Sequence, residues 1–255
     1  MDLLLRRARL FSNNGPKYIQ FADPYVKSVC VTNWGDGEEI TVAQAAAVPF
    51  STAVQQNAFW NAFDGSQVTS FDELRYFINV SVIPNQKFKN NTSLTSIGLE
   101  NIVRLGNEAF YGCTSLSMEV NMPKMNQSGG YDIFRNTKIT KIVNLGNTTN
   151  IGNYGFAREC SMLTEVTLPA TITQVGRLQF PYCPNLRKFV CLATTPPTDA
   201  GYLFEPNGVY PSGLTIYVPY SADHSILNAY KTTSHWDAFA SIMEELNPDG
   251  TVPNN

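Results

Sequence analysis

Leu105-Gly106-Asn107-Glu108-Ala109-Phe110 returns as Ile151-Gly152-Asn153-Tyr154-Gly155-Phe156, and again as Val175-Gly176-Arg177-Leu178-Gln179-Phe180. The phenylalanines that anchor this phrase fall at Phe88, Phe110, Phe134, Phe156 and Phe180, in steps of 22, 24, 22 and 24 residues. A period in that range marks one supersecondary unit copied along an axis.

Each anchor is followed by a short aliphatic pattern: Leu94-x-x-Ile97-x-Leu99, Leu116 with Val120 and Met122, Ile139-x-x-Ile142, Leu163-x-x-Val166-x-Leu168, and Leu186-x-x-Phe189. Aliphatics two apart lie on one face of a strand. A turn follows, with Pro123 or Pro169 in two copies, and then a second aliphatic position such as Ile102 or Ile172. The glycine of each phrase suits a tight change of direction, because it lacks Cβ. A unit of this size cannot bury its apolar side alone, so the units stack and share a continuous core.

The pattern resembles the BspA-type leucine-rich repeats common in gut Bacteroidetes. Phe110-Tyr111-Gly112-Cys113-Thr114-Ser115-Leu116 matches the start of their consensus, and Met162-Leu163-Thr164-Glu165-Val166-Thr167-Leu168-Pro169 matches its middle. The resemblance covers about residues 71–192. It extends to Leu192-Ala193-Thr194-Thr195-Pro196-Pro197 and Ile216-Tyr217-Val218-Pro219, which look like the family's exit from the repeats. It implies an α+β leucine-rich-repeat solenoid of about five coils, with a helical N-terminal cap and a strand/helix C-terminal cap. The copy over 111–134 departs from the pattern, since Gly129-Gly130 replaces the aliphatic-Gly pair; a distorted coil is expected there.

The expected division is an arm over 1–28, a helical cap over 29–80, repeats over 81–192 and a C-terminal cap over 193–255. In the arm, Tyr18-Ile19-Gln20-Phe21 reads as extended. Residues 28–47 read helix, loop, helix. A second cap helix is expected over Ser70–Phe77, with Ser70 and Glu73 spaced as a capping box. In the C-terminal cap, Leu214–Val218 alternates like a strand, and Ser221 should start a helix over Ala222–Tyr230. The spacing of Trp236, Phe239, Ile242, Met243 and Leu246 predicts a final amphipathic helix.

In relatives the region of residues 33–44 looks like half a dockerin with a calcium loop. Here Asn33 would fall at position 1, Gly37 at position 5 and Gln44 at position 12, where calcium needs a bidentate acid. The loop therefore predicts a turn without a metal, and no cofactor is expected. The five cysteines are Cys30, Cys113, Cys160, Cys183 and Cys191, with no C-x-x-C pair. Three follow a repeat Phe by three or four residues and read as small core residues.

Charged residues are 15% of the 255 and the net charge is −3, which argues against the basic footprint that nucleic acid requires. No run of 18 apolar residues occurs, so no membrane insertion is expected. Met1-Asp2-Leu3-Leu4-Leu5-Arg6-Arg7-Ala8-Arg9 places leucines before arginines, the reverse of a secretory signal. With Met1 as the start, this reads as a cytoplasmic or virion-associated chain rather than a Sec-secreted one. The arginines are either a docking arm or a solvated terminus.

The only histidines are His224 and His235, and no nucleophile elbow, H-E-x-x-H helix or phosphate loop occurs, so no enzyme is expected. What remains is recognition. Outward strand positions assign Ser96, Glu119, Lys141, Glu165 and Lys188 to one ribbon, either a polar binding strip or a solvated charge ladder. Tyr111, Tyr131, Tyr154 and Tyr182 cluster near the Phe turns as an aromatic rim, with core packing expected for at least half. The first functional expectation is a non-catalytic module that binds a protein or glycan surface through the repeat face, in an adhesin-like role that the resemblance implies. The alternative is a structural component of a phage or prophage virion, such as a tail or fibre accessory. Sequence alone leaves the oligomeric state open.

Overall fold

A computed structural model describes residues 17–126, 129–152, 154–198, 203–205 and 209–253. The arginine cluster of the expected arm lies outside them.

Short parallel strands recur along the chain: β1 (Ser70–Phe71), β2 (Val82–Ile83), β3 (Ser96–Ile97), β4 (Arg104–Leu105), β5 (Glu119–Asn121), β6 (Lys141–Asn144), β7 (Glu165–Leu168), β8 (Lys188–Cys191), β9 (Thr215–Val218) and β10 (Met243–Glu245). β5 to β10 form one six-stranded sheet in chain order, while β1 pairs with β3 and β2 with β4. Val120, Ile142, Val166, Phe189 and Ile216 each follow an outward residue and are buried, as the two-residue pleat requires. This is the parallel-strand solenoid expected from the repeat period.

The phenylalanine turns hold the coils together. Phe88, Phe110, Phe134, Phe156 and Phe180 are all buried, and Phe204, 24 residues further on, is buried too. Ring centroids lie 5.5 Å apart for Phe88–Phe110 and 5.2 Å for Phe110–Phe134, nearly parallel, and then tilt by 59° at Phe134–Phe156. Residues two before and two after an anchor have positive φ: Gln86 and Asn90, Glu108 and Gly112, Asp132 and Asn136, Leu178 and Tyr182. This alternation aims every second amide along the stack. Gln86, Phe88 and Asn90 N–H donate to Asn107, Ala109 and Tyr111 carbonyls, and Glu108, Phe110 and Gly112 repeat the step to Tyr131, Ile133 and Arg135.

The fourth turn carries one extra residue, since Cys160 follows Phe156 by four positions where Cys113 follows Phe110 by three. There Ala157 N–H, not that of Phe156, reaches the next coil, at the Gln179 carbonyl. The displaced Phe156 N–H is taken by Gln179 Oε1 at 3.1 Å, and Gln179 Nε2 donates to the Gly152 carbonyl. A fully buried glutamine thus satisfies the insertion.

At Gly106 and Gly130 the glycine serves clearance rather than the turn. A Cβ at either would collide with backbone of the preceding coil, at Asn85 and Asn107 respectively. Gly130 keeps the register despite the Gly129 substitution, donating to the Leu105 carbonyl as Gly106 does to Ile83. The expected distortion of this copy is a register shift between Val120 and Asn121 where β5 meets β6.

The N-terminal side holds α1 (Pro24–Trp34), α2 (Val42–Ala47) and α3 (Ala53–Asn61). α1 starts inside the segment read as an arm. Thr41 and Gln44 make a capping box for α2, and Thr52 and Gln55 one for α3, a helix the sequence reading missed. Tyr18 bridges antiparallel to Thr41. The helix expected over Ser70–Phe77 is instead β1 followed by a 3₁₀ turn at Asp72–Tyr76. Pairing with β3 outweighs the local capping signal, and Glu73 turns inward to accept from Ala22 N–H. The C-terminal side also differs. The helix is α4 (Ser225–Thr232), starting four residues after Ser221, and the expected final amphipathic helix is a 3₁₀ turn, Asp237–Ile242, leading into β10. The open edge of β9 draws Met243–Glu245 into the sheet.

Phe110→Ala should lower unfolding free energy by about 3–5 kcal/mol, because a ring stacked on two others is lost and the coils cannot close the space. Denaturant melts followed by circular dichroism would check this, and an unchanged midpoint would count against the stack. A second prediction concerns Asp23, which caps α1 through Oδ1 and through Oδ2 accepts from Thr69 N–H, Thr69 Oγ1 and Ser70 N–H. Burial raises this carboxyl, and the hydrogen bonds from Thr69, Val26 and Ser70 more than offset it, leaving its pKa below the ordinary value. A depressed folded pKa stabilises above the unfolded value of about 3.9, and that contribution is lost as pH falls through the folded value. Asp23→Asn should cost about 2–3 kcal/mol at neutral pH. The gap to wild type should stay constant between about pH 5 and 7 and narrow below about pH 4. A gap independent of pH would show that the charge is not used.

Candidate functional site

Pairing brings four of the five ribbon residues into one row. Glu119 lies opposite Lys141, Lys141 opposite Glu165, Glu165 opposite Lys188, and Lys188 opposite Thr215. Lys141 Nζ is 3.4 Å from Glu119 Oε1 and Lys188 Nζ 2.6 Å from Glu165 Oε1. The Glu119 and Lys141 side chains keep 54% and 40% of their surface, against 22% and 31% for Glu165 and Lys188, so the β5–β6 end is the more open. Ser96 sits outside this sheet. It pairs with Ser70, and its Oγ donates to Asp72 Oδ2. Its coil joins the next through Ser117 N–H to the Thr95 carbonyl.

Beside this row runs a second outward one in which Thr167, Val190 and Tyr217 are in register. Val190 and Tyr217 are buried although they point away from the core. They form a separate apolar cluster with Leu246, against which Leu192 and Val252 pack. The chain after β10 therefore folds over the β8–β9 end of the outer face. Sequence reading missed this lid, although apolar Val190 and Tyr217 at outward positions were a visible signal.

The tyrosine rim lies at the turn edge. None of Tyr111, Tyr131, Tyr154 and Tyr182 is buried, which corrects the expectation that half pack in the core. Three of the rings meet cations instead: Lys89 and Arg135 are each 5.2 Å from the Tyr111 ring, and Arg158 lies over Tyr154 and Tyr182, while Tyr131 is exposed. Lys89 also meets Glu108 at 2.9 Å, and Arg135 reaches Asp132 and Glu159. Burial raises the Asp132 carboxyl above its ordinary value against the pull of Arg135. Its Oδ1 faces Gly155, where any Cβ would collide with it. This edge is a network of cations, aromatics and acids in which the buried Asp132 Oδ1 has no hydrogen-bond partner.

The family model described as BspA type Leucine rich repeat region matches residues 81–196 in six copies. Residues 81–196 are thus similar to BspA-type leucine-rich repeats. A crystal structure of a leucine-rich repeat protein from Bacteroides ovatus ATCC 8483 is similar at 19% sequence identity and a TM-score of 0.38, over 60% of this chain and 43% of that one. The chain thus covers less than half the length of that protein. No curated protein matches the sequence.

The chemistry of these coils is structural. Cys113, Cys160 and Cys183 donate from Sγ to the Phe88, Phe134 and Ala157 carbonyls of the preceding coil, at 2.9, 3.0 and 3.1 Å. Burial pushes the Cys113 thiol up to about 12 and the Cys191 thiol to about 11. Ser221, His224 and Glu245 meet, but not as a nucleophile and base. Ser221 Oγ donates to Glu245 Oε1 and accepts from Ile226 N–H, while His224 Nδ1 contacts Glu245 Oε2 at 2.6 Å. That arrangement ties the start of α4 to β10. In the loop expected to turn without a metal, Asn33 donates to Val29 on α1, Asp36 accepts from Glu38 and Glu39 N–H, and Gln44 caps α2. Among the described residues no group of three or more His, Cys, Asp or Glu could hold a metal, and no helix is long and apolar enough to cross a membrane.

All five cysteines are buried and unbridged. In the folded protein a disulfide reagent such as Ellman's should therefore titrate less than one thiol at pH 8, rising to five in denaturant. Rapid native reaction of any thiol would identify a reactive cysteine that this packing does not explain.

Proposed function

We propose that the chain is a non-catalytic recognition module that binds a protein surface through the outer face of its sheet. The observation that carries this reading is the continuous in-register row Glu119–Lys141–Glu165–Lys188, open to solvent on a rigid parallel scaffold. Alternating charges at fixed strand spacing favour a partner with complementary charges and fix its register more than they add affinity. A protein partner fits better than a glycan, because the aromatic rings that sugars stack on lie at the turn edge, away from this row, and Lys89, Arg135 and Arg158 engage Tyr111, Tyr154 and Tyr182. Similarity to a leucine-rich-repeat family supports an interaction or adhesion role. In this reading the solenoid has about five coils, and residues 29–80 and 193–255 close its ends and keep its core from water. No observation favours a virion component.

The test combines Lys141→Glu with Lys188→Glu. Partners captured by the wild-type protein and identified by mass spectrometry should be lost at least about tenfold. The melt should shift by less than about 1 kcal/mol, since only surface ion pairs are broken. Full retention of the same partners by a folded variant would move the site off this face.

A further inference from the structure

Across the paired strands the outward row reads Glu119, Lys141, Glu165, Lys188. In reverse it reads base, acid, base, acid. The row is therefore complementary to its own inversion. We propose that the outer face docks a second copy of this chain about a two-fold axis that runs parallel to the strands between β6 and β7. This rests on the reading of that face as the recognition surface, and it names the partner.

The geometry selects the axis. Two identical sheets can meet face to face by a two-fold axis lying in the interface, either along the strands or along the stack. An axis along the stack keeps coil order and sets Glu119 against Glu119 and Lys141 against Lys141. An axis along the strands reverses coil order. It sets Glu119 against the second copy's Lys188 and Lys141 against its Glu165. Both copies have the same strand spacing, so the match holds from Glu119 to Lys188.

Energetics set the character of the contact. Within one copy Glu119 pairs with Lys141 and Glu165 with Lys188, yet all four side chains keep solvent-exposed surface. Docking gives each charge a second counter-charge and turns two isolated pairs into a network, the arrangement in which surface ion pairs contribute measurably. Flanking residues over β5–β7 include Asn121, opposite Asn144 across the register shift, Val143 and Thr167, and the apolar Val190 and Tyr217 are already covered from within the chain. The dimer is consequently weak, reversible and salt-sensitive, unlike an obligate apolar interface.

Purified full-length protein decides the matter without any other partner. Sedimentation equilibrium should show a concentration-dependent dimer at about 50 mM NaCl that dissociates at about 500 mM, where screening is strong. Lys141→Glu sets a carboxylate against the second copy's Glu165 at two symmetric places and should weaken dimerisation at least about tenfold. Adding Glu165→Lys gives the row acid, acid, base, base, which again complements its inversion, and should restore the dimer. Thermal melts confirm that each variant folds, and the salt titration of the wild-type chain stands even if one does not. A monomer at low salt and high concentration would overturn the proposal, as would a dimer indifferent to both salt and Lys141→Glu. A monomer that still loses a different captured protein on Lys141→Glu with Lys188→Glu would sink self-docking alone and leave the recognition reading standing.

Discussion

Everything in this structure hangs on the backbone hydrogen bonds that pass from coil to coil at the phenylalanine turns. Left-handed residues on either side of each anchor cost about 1 kcal/mol apiece where they are not glycine. That cost is offset because alternate amides then point along the stack and find carbonyls in the next coil. The buried ring fills the space inside the turn. The residue three or four beyond it donates as well: Asn91, Thr137 and the three cysteines all give a side-chain hydrogen to a turn carbonyl. A thiol, a hydroxyl and an amide are interchangeable there because the position asks for one small donor, not for a reactive group.

A ladder of this kind has two unsatisfied ends, and the flanking segments are built to meet them. At the start, Asn91 Nδ2 donates to the Gly65 and Val68 carbonyls, and Trp60 Nε1 reaches the Val82 carbonyl. Lys87 donates to the Trp60 and Phe63 carbonyls at the end of α3. Trp34, Phe59, Phe63 and Phe77 continue the aromatic packing upstream of Phe88. At the far end Tyr230 and Trp236 bury completely while their polar atoms reach the Ala193 and Pro197 carbonyls. Large aromatics with one polar handle suit this task, since they cover core and satisfy backbone at once.

The same stacking produces the row on which the proposed recognition face rests. Because each coil adds one strand in register, one outward position per coil becomes a straight row, and the row's charge order is simply the order of the repeats. The proposed recognition draws on the whole row rather than on one coil. It needs a rigid spacing and a choice of side chain at each step, which is why the row between β5 and β8 carries chemistry that no single coil contains.

Periodicity made the solenoid legible in the sequence, because one Phe, one glycine and one aliphatic strand pattern per unit are demanded locally by the turn, the coil clearance and the pleat. The row Glu119, Lys141, Glu165 and Lys188 was legible for the same reason, as position in the repeat sets position in space. Where repetition stopped, local signals misled. Ser70 and Glu73 spell a capping box, yet Ser70 joins a strand and Glu73 is buried, because β3 offers Ser70–Phe71 a ladder partner. Trp236 to Leu246 spells an amphipathic helix, yet its second half becomes β10, because β9 left an edge to cover. The lid of Leu246 and Val252 over Val190 and Tyr217, the Gln179 repair of the inserted residue and the surface placement of the tyrosines were likewise settled only in three dimensions. Each depends on which backbone groups and apolar surfaces remain open after the coils have stacked, and no window of sequence contains that information.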